Sequence, residues 1–339
     1  MSVIRVTEPE ATELASGGAP ACFQVLALDG GGAKGLFTAK VLALLERDLN
    51  MNVADHFDLI AGTSAGGIIA LALGAGLRAA DIADSFTSLV TSVFPPARRH
   101  FKVAQVFHPL YSSSVLRQSL TEALQDKILG DSIRPLVIPS WDTQSNEVHV
   151  FKTRHHERFT RDWRVPMVDV ALATSAAPTY FPASRLNGQR LIDGGVWAND
   201  PSVVAVAEAV GVFGVPITSV RVLSIGTTTD LRSTPRRLDK GGLVQWATKA
   251  VPLVMDATAS GGKGVTRFLI GEDNYLRVDA LVPAKTYALD AVDLDDIQGR
   301  AEAVSRNFSP LVKTKFLQHL APPFTPIPEQ GTEDANETH

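Results

Sequence analysis

Apolar residues in this chain gather into short runs, each closed by a turn and followed by a helical repeat. Phe23 to Leu28 is an apolar run of strand length that ends at Asp29 and opens into glycines, the pattern of a buried strand. From Ala33 to Asn50, Phe37, Val41, Leu44 and Leu45 recur at helical spacing. Phe57 to Ala61 predicts a second strand and Ala65 to Gly74 a second helix. Strand–turn–helix repeated in this way predicts parallel neighbours with right-handed crossovers. Both turns then emerge at the C-terminal edge of one sheet, where α/β proteins build their sites. Further strands are predicted at Leu136–Ser140, Val148–Lys152, Gln189–Ile192 and Val220–Ile225. Asp200 followed by Pro201 predicts a capped helix with proline at its first position, running to about Val210.

The periodicity breaks in three places. Residues 92–113 place Pro95, Pro96 and Pro109 among Phe94, Phe101, Phe107 and Tyr111, which predicts a loop or lid insertion. Residues 1–20 read as a flexible leader, and residues 322–339, with four prolines and several acids, as a disordered tail. Between them nothing resembles a linker, so residues 21–321 are expected to form one α/β domain. Leu59 to Leu77 carries no charge and is long enough to suggest a membrane span. Gly62, Gly66, Gly67, Gly74 and Gly76 within it, and the lack of aromatic anchors, favour a strand and a tightly packed buried helix.

Composition narrows the setting. Apolar residues make up 45% of 339 and charged ones 20%, an ordinary globular balance with ample material for a core. A net charge of -4 argues against a general affinity for DNA or RNA. Cys22 is the sole cysteine, so neither an intrachain disulfide nor a cysteine-cluster metal site is expected. The acidic start of the chain, with Glu8, Glu10 and Glu13 and no apolar core, is unlike a secretory signal. A cytoplasmic location follows as the expectation.

Two glycine-framed segments carry the candidate chemistry. Gly62-Thr63-Ser64-Ala65-Gly66 matches the G-x-S-x-G nucleophile elbow. Five residues alone are weak, but here a strand precedes them and a helix follows. Gly62 and Gly66 flank the serine where a Cβ would crowd a sharp turn, and the helix start adds positive potential near a developing oxyanion. Asp29-Gly30-Gly31-Gly32-Ala33-Lys34-Gly35 offers backbone N–H groups unobstructed by side chains, an anion hole of the kind acyl transfer needs. Gly30, Gly32 and Gly35 also fit a dinucleotide-binding fingerprint, but the second strand ends in Ala61-Gly62-Thr63-Ser64 without the acid that would hold a ribose. No P-loop is present. For the base, His319 would complete a Ser–Asp–His order. The stronger candidate is Asp193, which an apolar strand delivers to a glycine turn in Leu191-Ile192-Asp193-Gly194-Gly195. Partial burial would raise its proton affinity above the ordinary carboxylate value.

Together these segments resemble the patatin-like phospholipases. The similarity also takes in Ser175-Ala176-Ala177-Pro178, Val196-Trp197-Ala198-Asn199-Asp200-Pro201, Leu223-Ser224-Ile225-Gly226-Thr227 and Tyr275-Leu276-Arg277-Val278, and spans about residues 23–280. The resemblance implies a three-layer fold, with a mostly parallel central sheet flanked by helices. It implies a Ser64–Asp193 dyad that uses no histidine, metal or cofactor. Gly30, Gly31 and Gly32 are implied as oxyanion donors, with Lys34 at the basic position closing the loop. The implied substrates are acyl esters of membrane phospholipids.

The continuation Gly35-Leu36-Phe37-Thr38-Ala39-Lys40 is similar to bacterial members activated by cyclic dinucleotides in anti-phage defence. A cyclic dinucleotide activator is therefore an expectation from analogy, and a homo-oligomer is a further expectation to which no motif here speaks. Arg98, Arg99 and Lys102 among the aromatics of the loop suit a membrane surface. Lys152 to Arg164 is a second basic stretch, read either as a solvated hairpin edge or as a phosphate site. The competing readings of the whole chain are a non-catalytic module that binds a nucleotide or lipid at its glycine edge, and a constitutive or secreted lipid acyl hydrolase.

Overall fold

The computed structural model describes residues 22–95, 109–231, 242, 250–284 and 286–328. Residues 1–21, where a leader was expected, the middle of the 92–113 stretch and the end of the tail lie outside them. β1 (Phe23–Leu28) is the predicted strand, and every residue of it is buried. Its alternate side chains enter two different cores. Leu26 and Leu28 join a cluster with α1 (Gly35–Leu49), α2 (Ala65–Gly74), α3 (Ala79–Val93) and α5 (Met167–Thr174). Phe23, Val25 and Ala27 join Ala205, Val206 and Ala209 of α7 (Ser202–Gly211). The two-residue side-chain period of a strand thus makes a continuous apolar run serve two helical layers.

The sheet order is β5-β6-β3-β2-β1-β7-β9, with β4 paired to β3. β2 (Leu59–Gly62), β3 (Leu136–Asp142), β7 (Val220–Ile225) and β9 (Tyr275–Val278) run parallel with β1 across their shared ladders. β4 (Glu147–Lys152), β5 (Ser184–Leu186) and β6 (Gln189–Asp193) form the antiparallel margin. A small parallel pair, β8 (Thr229–Leu231) with β10 (Leu281–Pro283), lies apart from this sheet. The remaining helices are α4 (Ser113–Leu124), α6 (Gly195–Ala198), α8 (Ala250–Ile270) and α9 (Leu294–Phe316).

The uncharged stretch from residue 59 divides into β2 and α2, and α2 is buried along its whole length. Among the described residues no helix is long and apolar enough to cross a membrane. Two expectations shift. The helix expected from Pro201 begins one residue later at Ser202, because the Asp200 carboxylate accepts the Ser202 N–H at 2.8 Å and leaves Pro201 outside. The tail expected to be disordered from residue 322 is docked through 328. Arg134 donates to the Pro322 carbonyl at 2.6 Å, and the Ile327 N–H donates to the Arg154 carbonyl at 2.9 Å.

Candidate active site

The nucleophile elbow is a steric construction. Ser64 joins β2 to α2 at φ 54° and ψ -122°, a conformation that costs a non-glycine residue on the order of 1–3 kcal/mol. A Cβ on Gly62 would overlap the Gly66 carbonyl, and one on Gly66 would overlap the carbonyls of Leu28 and Asp29. The strain is held by hydrogen bonds. The Ser64 N–H donates to Thr174 Oγ1 at 3.0 Å, and the Thr174 hydroxyl donates to the Pro139 carbonyl at 2.6 Å. The Thr63 hydroxyl donates to the Ala198 carbonyl at 2.6 Å. Thr174 lies more than 100 positions from the motif, and no local pattern marks it.

Ser64 Oγ donates to Asp193 Oδ2 at 2.7 Å. The Gly195 N–H donates to the other carboxylate oxygen at 2.7 Å. Asp193 reaches the serine at the end of β6, the apolar strand expected to deliver it. β6 is antiparallel to β3, so Asp193 descends to the rim from beyond it rather than rising with the parallel strands. Ala61 is level with Val137, and Ser140 with Asp193. Counting along β3 therefore sets Asp193 at the height of Ser64. Asp193 is 1% exposed, and no cation pairs with it among the described residues. Burial pushes its carboxyl up to about 6, against the opposing pull of the Ser64 and Gly195 hydrogen bonds.

The triple glycine lies beside this pair with its carbonyls anchored. Thr227 Oγ1 donates to the Gly30 carbonyl at 3.2 Å, and the Lys34 N–H to the Gly31 carbonyl at 3.1 Å. Gly32 sits at φ 58°, where a side chain would be strained, and it lines the same cavity as Ser64. Gly30 departs from expectation. Its N–H donates to the Asn199 carbonyl at 3.0 Å, so it is not open to an oxyanion. The Gly31 and Gly32 amides have no partner among the described residues. Gly30 has a spatial role instead, since a Cβ there would overlap Asn199 Oδ1 and press on Ser64. Lys34 Nζ reaches the Thr228 carbonyl at 3.5 Å and ties the loop to the turn after β7.

Beneath the loop is a buried charge cluster. Arg277 of β9 donates to both carboxylate oxygens of Asp29, at 2.9 and 2.6 Å. It also donates to Asp279 Oδ2 at 2.8 Å and Ser224 Oγ at 2.7 Å, with Asp200 at 3.7 Å. Burial alone would depress the guanidinium, but Asp29, Asp279 and Asp200 hold its pKa well above the usual value. This fork fixes the residue from which the glycine loop departs. An arginine within the apolar strand Tyr275–Val278 was the available sequence signal; its partner was not readable.

Ser64 and Asp193 open into a narrow cavity walled by Ile68, Phe86, Leu89, Phe94, Phe181 and Met255. Its apolar lining suits an acyl chain. From the proline-rich loop, Phe94 stacks edge-on against Tyr111 with ring centres 5.0 Å apart. Phe101, Phe107, Arg98, Arg99 and Lys102 lie outside the described residues. His319 is far from the serine in the fold. Its Nε2 meets Asp58 Oδ2 at 2.8 Å, beside the start of β2 rather than its end. The basic stretch from Lys152 is divided, with Lys152 and Arg154 turned to internal partners and Arg158, Arg161 and Arg164 exposed. Lys152 donates to Glu208 at 2.6 Å, while Arg154 and Arg164 lie over the Trp163 ring.

An elbow serine bonded to a buried aspartate beside a glycine loop is the arrangement of an acyl hydrolase. The patatin-like phospholipase family model matches residues 26–206. A cGAMP-activated phospholipase of Pseudomonas aeruginosa is 38% identical over 263 residues, 76% of this chain and 78% of that protein. Proteins described in the same words from Escherichia coli and Vibrio cholerae are each 32% identical. Those alignments cover 87% and 77% of this chain, and 90% and 82% of theirs. The chain belongs to the patatin-like phospholipases and is a lipid acyl hydrolase.

Proposed function

We propose that this protein hydrolyses fatty-acyl esters of membrane phospholipids with a Ser64–Asp193 dyad, and that a cyclic dinucleotide activates it. The observation that carries the reading is the 2.7 Å hydrogen bond from Ser64 Oγ to the buried Asp193 carboxylate. Asp193 takes the serine proton as Oγ attacks the ester carbonyl. Its raised proton affinity brings it closer to the pH at which a base works best. The Gly31 and Gly32 amides hold the oxyanion, aided by the positive end of α2. Protonated Asp193 then donates to the leaving alcohol, and water activated by the same carboxylate frees the fatty acid from Ser64.

The apolar cavity beside the serine supports a fatty-acyl substrate. Activation rests on the relatives, whose names describe cGAMP activation. The setting we assign is the cytoplasmic surface of a membrane, in anti-phage defence. The test is lipid-product mass spectrometry on wild type and Ser64→Ala, each with and without a cyclic dinucleotide panel. Released fatty acid and lysolipid are expected only from wild type, increased by one dinucleotide, with turnover in the variant lower on the order of 10⁴-fold or more. A folded variant that retains turnover removes the dyad, and equal wild-type hydrolysis in every tube removes the activator.

A further inference from the structure

A second cavity, of about 190 Å³, adjoins the one that holds Ser64 and Asp193. Leu116, Ser175 and Phe181 line both, so the two are neighbours across these side chains. Their chemistry differs. The serine cavity is walled by aliphatic and aromatic groups, whereas the second is lined by Ser113, Arg117, Ser184 and Arg185. Ser113 and Arg117 stand four residues apart on α4 and therefore share a helix face.

The positive charge here is only partly neutralised. Arg117 pairs with Asp169 at 2.7 Å with half its side chain still exposed. Arg185 has no side-chain partner among the described residues. It stands directly opposite Arg190 in the β5–β6 ladder, and like charges so placed destabilise a sheet. An anion in the cavity would relieve that repulsion. Guanidinium groups with hydroxyls beside them match the oxygens of a phosphodiester in particular.

We infer that this cavity binds the phosphodiester of the substrate's headgroup, with Arg185 as its principal contact and Arg117 as a second. In a glycerophospholipid only a few bonds separate the ester carbonyl from the phosphorus. Adjacent cavities, one apolar with the serine and one cationic, fit that connectivity. The inference rests on the phospholipase reading above and adds the recognition of the charged headgroup to it. A cyclic dinucleotide carries the same phosphodiester chemistry, so the test must separate the two sources.

Wild type, Arg185→Ala and Arg185→Lys are compared on dioleoylphosphatidylglycerol and on neutral p-nitrophenyl laurate, in the same detergent micelles, across a cGAMP titration. Arg185 lies exposed on a short edge strand, and an unchanged melting temperature verifies the fold. Arg185→Ala is expected to lower kcat/KM on the phospholipid about 10- to 100-fold, the range for a charged hydrogen bond. The neutral ester should change by less than about twofold, and Arg185→Lys should recover part of the loss. An equal loss on both esters, or none on the phospholipid, overturns the inference. So does a shifted cGAMP midpoint with unchanged phospholipid kcat/KM at saturation, which would assign the cavity to the activator. Ser64→Ala on both substrates reports separately on the dyad.

Discussion

Asp193→Asn separates catalysis from stability in one substitution. Asp193 is buried with no cation beside it among the described residues, and its carboxyl is raised to about 6, against about 3.9 in an unfolded chain. Ionising it inside the fold therefore costs about 2 units, or about 3 kcal/mol, as an order of magnitude. Because the folded value is the raised one, wild-type stability is fully present below about pH 4 and is lost as pH rises through 6. Asparagine keeps the shape: its carbonyl can still accept the Gly195 N–H, and its amide can donate to Ser64 Oγ. The variant does not ionise, so its advantage over wild type should grow from the pH 4 baseline by about 3 kcal/mol at pH 8. For 339 residues, an unfolding entropy of about 2.1 cal/mol/K per residue converts this to about 4 °C in Tm. Urea melts of both proteins at pH 4.5, 6 and 8, with turnover measured alongside, read both effects. An inactive variant whose stability difference does not change with pH would refute the unpaired buried carboxylate. An active one would refute the base.

Two further outcomes follow from the same residues. Asp193 must be ionised to accept the serine proton, so wild-type kcat/KM should rise about tenfold per pH unit up to about 6 and then level off; a profile flat down to pH 5 contradicts this. Arg277→Met leaves Asp29, Asp200 and Asp279 facing one another with no cation and should cost about 3–5 kcal/mol in a urea melt, whereas a loss under 1 kcal/mol would mean that the fork does not anchor the glycine loop.

The elements that determine chain direction were readable because their causes are local. β1, α2 and β7 appear at the bounds that apolar runs and glycine punctuation predicted. The elbow is legible for a similar reason: Gly62 and Gly66 must lack Cβ atoms whatever the rest of the chain does. The basic run from Lys152 was legible in part, since Arg158, Arg161 and Arg164 are exposed as a solvated edge requires. Charge in a sequence suggests solvent, yet Lys152 and Arg154 lie against Glu208 and aromatic rings.

What the amino-acid order determined by itself was the set of parts: a strained serine, a stretch of side-chain-free amides, a carboxylate at a glycine turn, and strands that cross between two helical layers. Tertiary structure alone decided which of them meet. Asp193 approaches Ser64 on a strand of opposite direction, Asn199 takes the Gly30 amide out of use, and Arg277 locks Asp29 from 248 positions away. Backbone sterics act over a few residues and leave a local signature. Hydrogen bonds and burial depend on neighbours that only the closed sheet brings within 3 Å, and no spacing along the chain records them.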